Sequence, residues 1–131
     1  LPGVHSKSNR ATMSLPRFVD DATVARELAF AGLVAAMPRA FVDAPVAPPR
    51  TVAATREPGG RLRSTLTMPA VRAGGIAVTK TVTVFIGRSV ELQSQMFVHD
   101  REGRLVAIVA GHELTARRTA LISAVGFALV L

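Results

Sequence analysis

The stretch GGIAVTKTVTVF, residues 74–85, constrains the fold more than any other part of the chain. It opens on a Gly-Gly turn and continues in β-branched residues, the mark of a strand with two chemically different faces. Successive side chains of a strand point to opposite sides. Val78, Lys80, Val82 and Val84 therefore share one face, and Thr79, Thr81 and Thr83 share the other. This places a lysine on the apolar side. A buried ammonium is costly unless it meets an anion. Three outcomes are open: the lysine snorkels out near the strand's entrance, pairs with a structural carboxylate, or serves a site that binds an acid.

Other strands follow the same logic. EPGG (57–60) separates a β-branched piece at 50–55 from RLRSTLTM (61–68), and REG (101–103) separates SQMFVHD from RLVAIVAG. Each reads as a turn between two strands. Ahead of them the pattern is helical. Asp20 and Asp21 offer capping oxygens, and Val24, Leu28, Ala31 and Val34 or Ala35 recur at the spacing of one helix face. Gly32 and Pro38 argue against one straight helix over 22–43 and for two short helices or a kinked pair. DAPVAPPR (43–50) is extended, because residues before proline are pushed out of the α region. A last helix starts between His112 and Thr115. The predicted class is α+β, with N-terminal helices, a mixed or antiparallel sheet of about five or six strands, and a C-terminal helix.

Composition narrows the functions. A length of 131 residues fits one domain. The absence of cysteine removes disulfides, zinc thiolates and thiol nucleophiles. His5, His99 and His112 are too scattered to suggest a metal site, so none is expected. The net charge is +7, but the arginines are dispersed and Trp and Tyr are absent. This favours a solvated basic surface, or chemistry on small anions, over nucleic-acid binding. The longest apolar run, 120–131, has 12 residues, short of the roughly 20 that span a membrane. The opening LPGVHSKSNRAT is polar and does not read as a signal peptide. Residues 1–12 read as a disordered or tag-derived segment, with Met13 as the natural start, 13–131 as the domain and the cytoplasm as the location.

Two more basic positions stand out. Arg50 follows Pro48 and Pro49 and opens a strand. It is either a surface arginine or a guanidinium held for bidentate carboxylate recognition. Arg117 and Arg118 sit in the first turn of the last helix, beside free backbone N–H groups, a combination suited to an anion. Arg118 aligns with Leu114, Leu121 and Ile122 on the core-facing side, whereas Arg117 falls beside Glu113. No GxGxxG, GxxxxGK[ST], nucleophile elbow or Ser-His-Asp arrangement occurs.

These stretches taken together resemble the ornithine cyclodeaminase/mu-crystallin family. The matching segments are RFVDDATVARELA (17–29), PPRTV (48–52), TMPA (67–70), VTKTVTVF (78–85) and MFVHDREGRLVAIVAGHELTARRTA (96–120). The resemblance implies an NAD(P)-dependent enzyme that transfers hydride at the α-carbon of a small amino or imino acid. Its members include cyclodeaminases, alanine dehydrogenases, ketimine reductases and opine-type synthases. It implies two domains, one for substrate binding and dimerisation and a Rossmann domain for NAD or NADP. This chain matches the first of them, and the Rossmann half is missing from the match.

Residue by residue, the resemblance makes Arg50 and Arg118 carboxylate ligands and Met68 a lining residue of the substrate pocket. It makes Lys80 the catalytic lysine that reaches both the carboxylate and the reacting nitrogen, and Thr83 and Thr119 cofactor-side contacts. Two stretches depart from the family pattern. FIGR passes directly into SVELQSQM, and SAVGFALVL reads either as a continuing helix or as the family's C-terminal segment. The expectation is the substrate-binding and dimerisation part of an oxidoreductase or cyclodeaminase, a homodimer, inactive without the dinucleotide domain. The alternative is a stand-alone, non-catalytic dimer or ligand-binding module.

Overall fold

The computed structural model describes residues 14–43, 45–87 and 89–130, with side chains placed for all of these except Phe41, Val90 and 124–130. The reading of residues 1–12 as a separate segment lies outside the described residues. Nine elements follow in order: β1 (Arg17–Val19), α1 (Asp21–Glu27), α2 (Phe30–Val42), β2 (Thr51–Arg56), β3 (Leu62–Val71), β4 (Ala77–Ile86), β5 (Val90–His99), β6 (Leu105–Ala110) and α3 (His112–Val130). The fold is α+β, as the order of helical and strand patterns implies.

Strands β2 to β6 form an antiparallel meander, and β1 joins β6 in parallel at the far edge, giving a six-stranded sheet ordered β1-β6-β5-β4-β3-β2. Turn chemistry sets the register. In the β5–β6 hairpin Asp100 Oδ1 accepts from the backbone N–H groups of Glu102 and Arg104 at 3.0 and 2.9 Å, and Gly103 adopts φ 79°. Only glycine takes that conformation without strain.

Two neighbouring aspartates divide the work of capping. Thr23 N donates to Asp20 Oδ1 at 2.8 Å, closing the start of α1. Asp21 reaches across the fold, and its Oδ1 accepts from Glu113 N at 2.8 Å, in the first turn of α3. Arg117 completes the joint. Its Nε donates to Glu113 Oε1 and its Nη1 to the Leu28 carbonyl, both at 2.6 Å. The helix pair α1–α3 is thus fastened at both ends of α1. Val24 of α1, Leu121 of α3 and Val82 of β4 are buried together as the core of the described residues.

Two features differ from the expectations, and a third decides between two readings that the sequence leaves open. The helix break falls at Leu28–Ala29, while Gly32 and Pro38 both lie inside α2. Pro38 removes the N–H that would bond to the Val34 carbonyl, and Val34 is exposed, so that turn faces solvent. β1 is a strand of three residues, too short to show a period. The C-terminal SAVGFALVL continues α3 without interruption to Val130.

So small a core makes each member count. Leu121→Ala should cost about 2–5 kcal/mol, seen as a lower urea midpoint with an unchanged slope. A loss under about 1 kcal/mol would show that α3 does not anchor the helix layer.

Candidate anion-binding site

Lys80 lies near the middle of β4, with Met68 directly across on β3 and Met96 directly across on β5. The three share the sheet face that the helices cover, the face of Val82. The side of the strand expected for Lys80 is therefore the side it takes, and it is half-buried there.

Helix α3 supplies the roof. The chain leaves β6 at buried Gly111, whose N–H donates to Ser94 O of β5 at 2.8 Å. A Cβ at this position would run into Ser94 Oγ and stand 2.8 Å from the Ser94 backbone. Glycine is what allows the helix to start against the sheet. One turn on, Thr115 Oγ1 accepts from Lys80 Nζ at 2.8 Å. Arg118 follows three residues later on the same helix face. Lys80, Gln95, Met96, Leu114, Thr115 and Arg118 line a cleft of about 20 Å³, which is room for about one water-sized group.

Burial, and after it the charge of Arg118, push the Lys80 ε-amino group below its ordinary value of 10.5. Among the described residues no ion pair involves Lys80 or Arg118. Arg117 differs sharply from its neighbour, being pinned by Glu113 and the Leu28 carbonyl. The two arginines at the head of α3 thus divide into a structural one and an unpaired one.

The remaining candidates fall into place unevenly. Arg118 is exposed rather than core-facing; it forms the rim of the cleft. Arg50 is also exposed and stands one residue before β2, which sets it level with Met68 in the register begun by Thr51 and Thr67. Thr83 is exposed on the opposite face of the sheet, among Arg63, Thr65, Phe85, Glu91 and Gln93. Thr119 turns its hydroxyl back to the Thr115 carbonyl at 2.8 Å. The structure therefore brings Lys80 and Arg118 to one cleft, sets Met68 beside Lys80 on β3 with Arg50 level with it in register, and separates Thr83. Thr115 and Gly111 went unrecognised in the sequence, although a Gly ending an apolar strand four residues before a Thr is a legible sign of a helix start.

A larger cleft, about 800 Å³, lies elsewhere, between α2 and the ends of β3 and β4. Its lining is mostly alanine and other small apolar side chains, and Arg72 and Asp43 pair across its rim at 2.8 Å.

The state of Lys80 has a direct readout, because the chain has only two lysines, Lys7 and Lys80. Acetylation by acetic anhydride should reach half its maximal rate for Lys80 at a pH below 10.5, and Arg118→Met should move that point upward. A Lys80 profile unchanged by Arg118→Met would disprove the coupling. The sign for stability follows from the same shift. The folded chain releases this proton more readily than the unfolded one, so stability rises as pH climbs from the lowered value towards 10.5.

No family model matches the chain, and no curated protein does. Among solved structures, the crystal structure of CmnK superposes with a TM-score of 0.64 at 15% identity. The match covers 82% of this chain and 37% of the CmnK chain. At that identity the likeness is one of fold alone.

Proposed function

We propose that this chain is the substrate-binding and dimerisation part of an NAD(P)-dependent enzyme acting on small amino or imino acids. The observation that carries the reading is the cleft that Lys80 and Arg118 share beside the first two turns of α3, with no acid in its lining among the described residues. Lys80, half-buried, loses hydration and is repelled by the charge of Arg118 on the rim. An anion between them reverses both costs. The Lys80 ammonium has three N–H donors, and one is used on Thr115. The other two and the Arg118 guanidinium remain for a carboxylate. Arg50 stands two strand spacings from Lys80, about 10 Å between backbones, which two long side chains can bridge. Met68 supplies an apolar wall next to Lys80. With its carboxylate so held, a substrate would place its α-nitrogen near Lys80, whose lowered pKa suits it to hold or hand over a proton there.

We assign no dinucleotide contact to the described residues. Thr83 faces away from Lys80, the Thr119 hydroxyl is spent on its own helix, and no glycine-rich phosphate loop is present. No hydride step is assigned to them; NAD or NADP would be held by residues beyond these. Dimerisation is supported by the uncovered sheet face. There Phe18, Ile108 and Phe97 form a continuous cross-strand row, and Phe18 is 66% exposed.

Calorimetric titration with L-ornithine, L-alanine and L-proline tests the reading. Arg118→Ala and Arg50→Ala should each weaken binding of the responding acid by up to about 1 kcal/mol, the scale of a solvent-exposed ion pair. Affinity unchanged in both variants would sink it. Light scattering should give about twice 13.8 kDa for the dimer. A chain that binds an acid yet stays monomeric would instead be a ligand-binding module.

A further inference from the structure

Three hydroxyls follow one another along α3, and one behaves differently. Thr119 Oγ1 donates to Thr115 O at 2.8 Å, and Ser123 Oγ donates to Thr119 O at 3.1 Å. Both are the back-bonds to the fourth preceding carbonyl that helical hydroxyls ordinarily make. Thr115 has such a carbonyl too, since Gly111 O receives only Thr115 N, at 3.0 Å, and a carbonyl can accept twice. Its Oγ1 instead meets Lys80 Nζ across the gap between helix and sheet.

Lysine carries its charge on a flexible four-carbon stem, and a half-buried one gains hydration by swinging outward. Something must hold the nitrogen inside the cleft. An aspartate or glutamate would hold it firmly but would cancel the charge. A hydroxyl accepts the hydrogen bond and leaves the charge in place. Thr115 also sits three residues before Arg118, so one helical turn fixes the spacing of the two cations.

We propose that Thr115 is a positioning residue: its hydroxyl oxygen fixes the Lys80 ammonium beside Arg118, so that the two cations meet a ligand carboxylate as a pre-set pair. This rests on the carboxylate reading above. The hydroxyl proton of Thr115 stays free to donate to the same ligand.

The test compares Thr115→Val, which keeps the shape and removes the acceptor, with Thr115→Ser, which restores it. Three measurements are made on each: the pH profile of Lys80 acetylation with acetic anhydride, using Lys7 as the reference within the chain, the Kd for L-alanine and L-proline, and the urea midpoint. Thr115→Val should release Lys80 to solvent, moving its half-reaction point up towards 10.5 and weakening the acid about tenfold. Thr115→Ser should behave as the parent in both. A valine variant with an unshifted or lowered profile overturns the proposal, as does a serine variant that fails to rescue while its urea midpoint matches the parent's. If the parent binds neither acid, the carboxylate reading fails by itself. The acetylation profile alone then decides whether Thr115 tethers Lys80.

Discussion

The approach of α3 to β5 at Gly111 is the contact on which the candidate site depends. Its N–H bonds to Ser94 O, and because Gly111 has no side chain it lies directly against Ser94. A helix starting even slightly further from the sheet would carry Thr115 out of reach of Lys80, because a hydrogen bond tolerates only a few tenths of an ångström. The other restraints act on the same end of the helix. Asp21 accepts from Glu113 N, and Arg117 holds the Leu28 carbonyl. Three bonds, one to β5 and one to each end of α1, converge on the first two turns of one helix. That is more fixing than a surface helix needs for its own stability, and it is the rigidity a preorganised site requires.

The helix macrodipole makes the same region unfavourable for cations. Arg117 answers this with Glu113, at 2.6 Å in a partly buried pair. Arg118 and Lys80 have no such answer among the described residues. The fold therefore tolerates two like charges near the positive end of a helix, one of them half-buried. Unrelieved charge of this kind is concentrated where a protein binds something of the opposite sign.

Much of this was legible in the chain, and the misses have physical causes. Alternation in VTKTVTV put Lys80 on the covered face, since period two leaves no other choice once the valines are inside. EPGG and REG marked their turns because glycine conformations are local. β1 was not legible: three residues carry no period, and their partner β6 lies some ninety positions away. Gly32 and Pro38 argued for two helices, and two form, but the break falls at Leu28–Ala29, where the α1–α3 joint and not local propensity bends the chain. Arg118 looked inward on a helical wheel, yet a wheel gives direction and not depth, and the side chain stays exposed at the rim of the cleft. Thr115 was missed because its partner is thirty-five residues away.

The two layers of the fold are held by different means, and the site lies across both. β3, β4 and β5 are strands of ten residues each, paired along their whole length on both sides of β4. The helix layer meets that sheet through a small apolar core of Val24, Leu121 and Val82 and two polar joints, Lys80 to Thr115 and Gly111 to Ser94. Regions with fewer buried contacts open at lower free energy than ladders do, so α1 and α3 should lift from the sheet before the sheet itself unfolds. Lys80 belongs to the sheet and Arg118 to the helix. An anion that binds both closes a bridge between the layers, and it does so only in the docked state. By mass action such a ligand stabilises the docked helix in proportion to its saturation. Binding at this cleft and ordering of α3 against the sheet are thus one equilibrium, set by the same glycine that lets the helix come close.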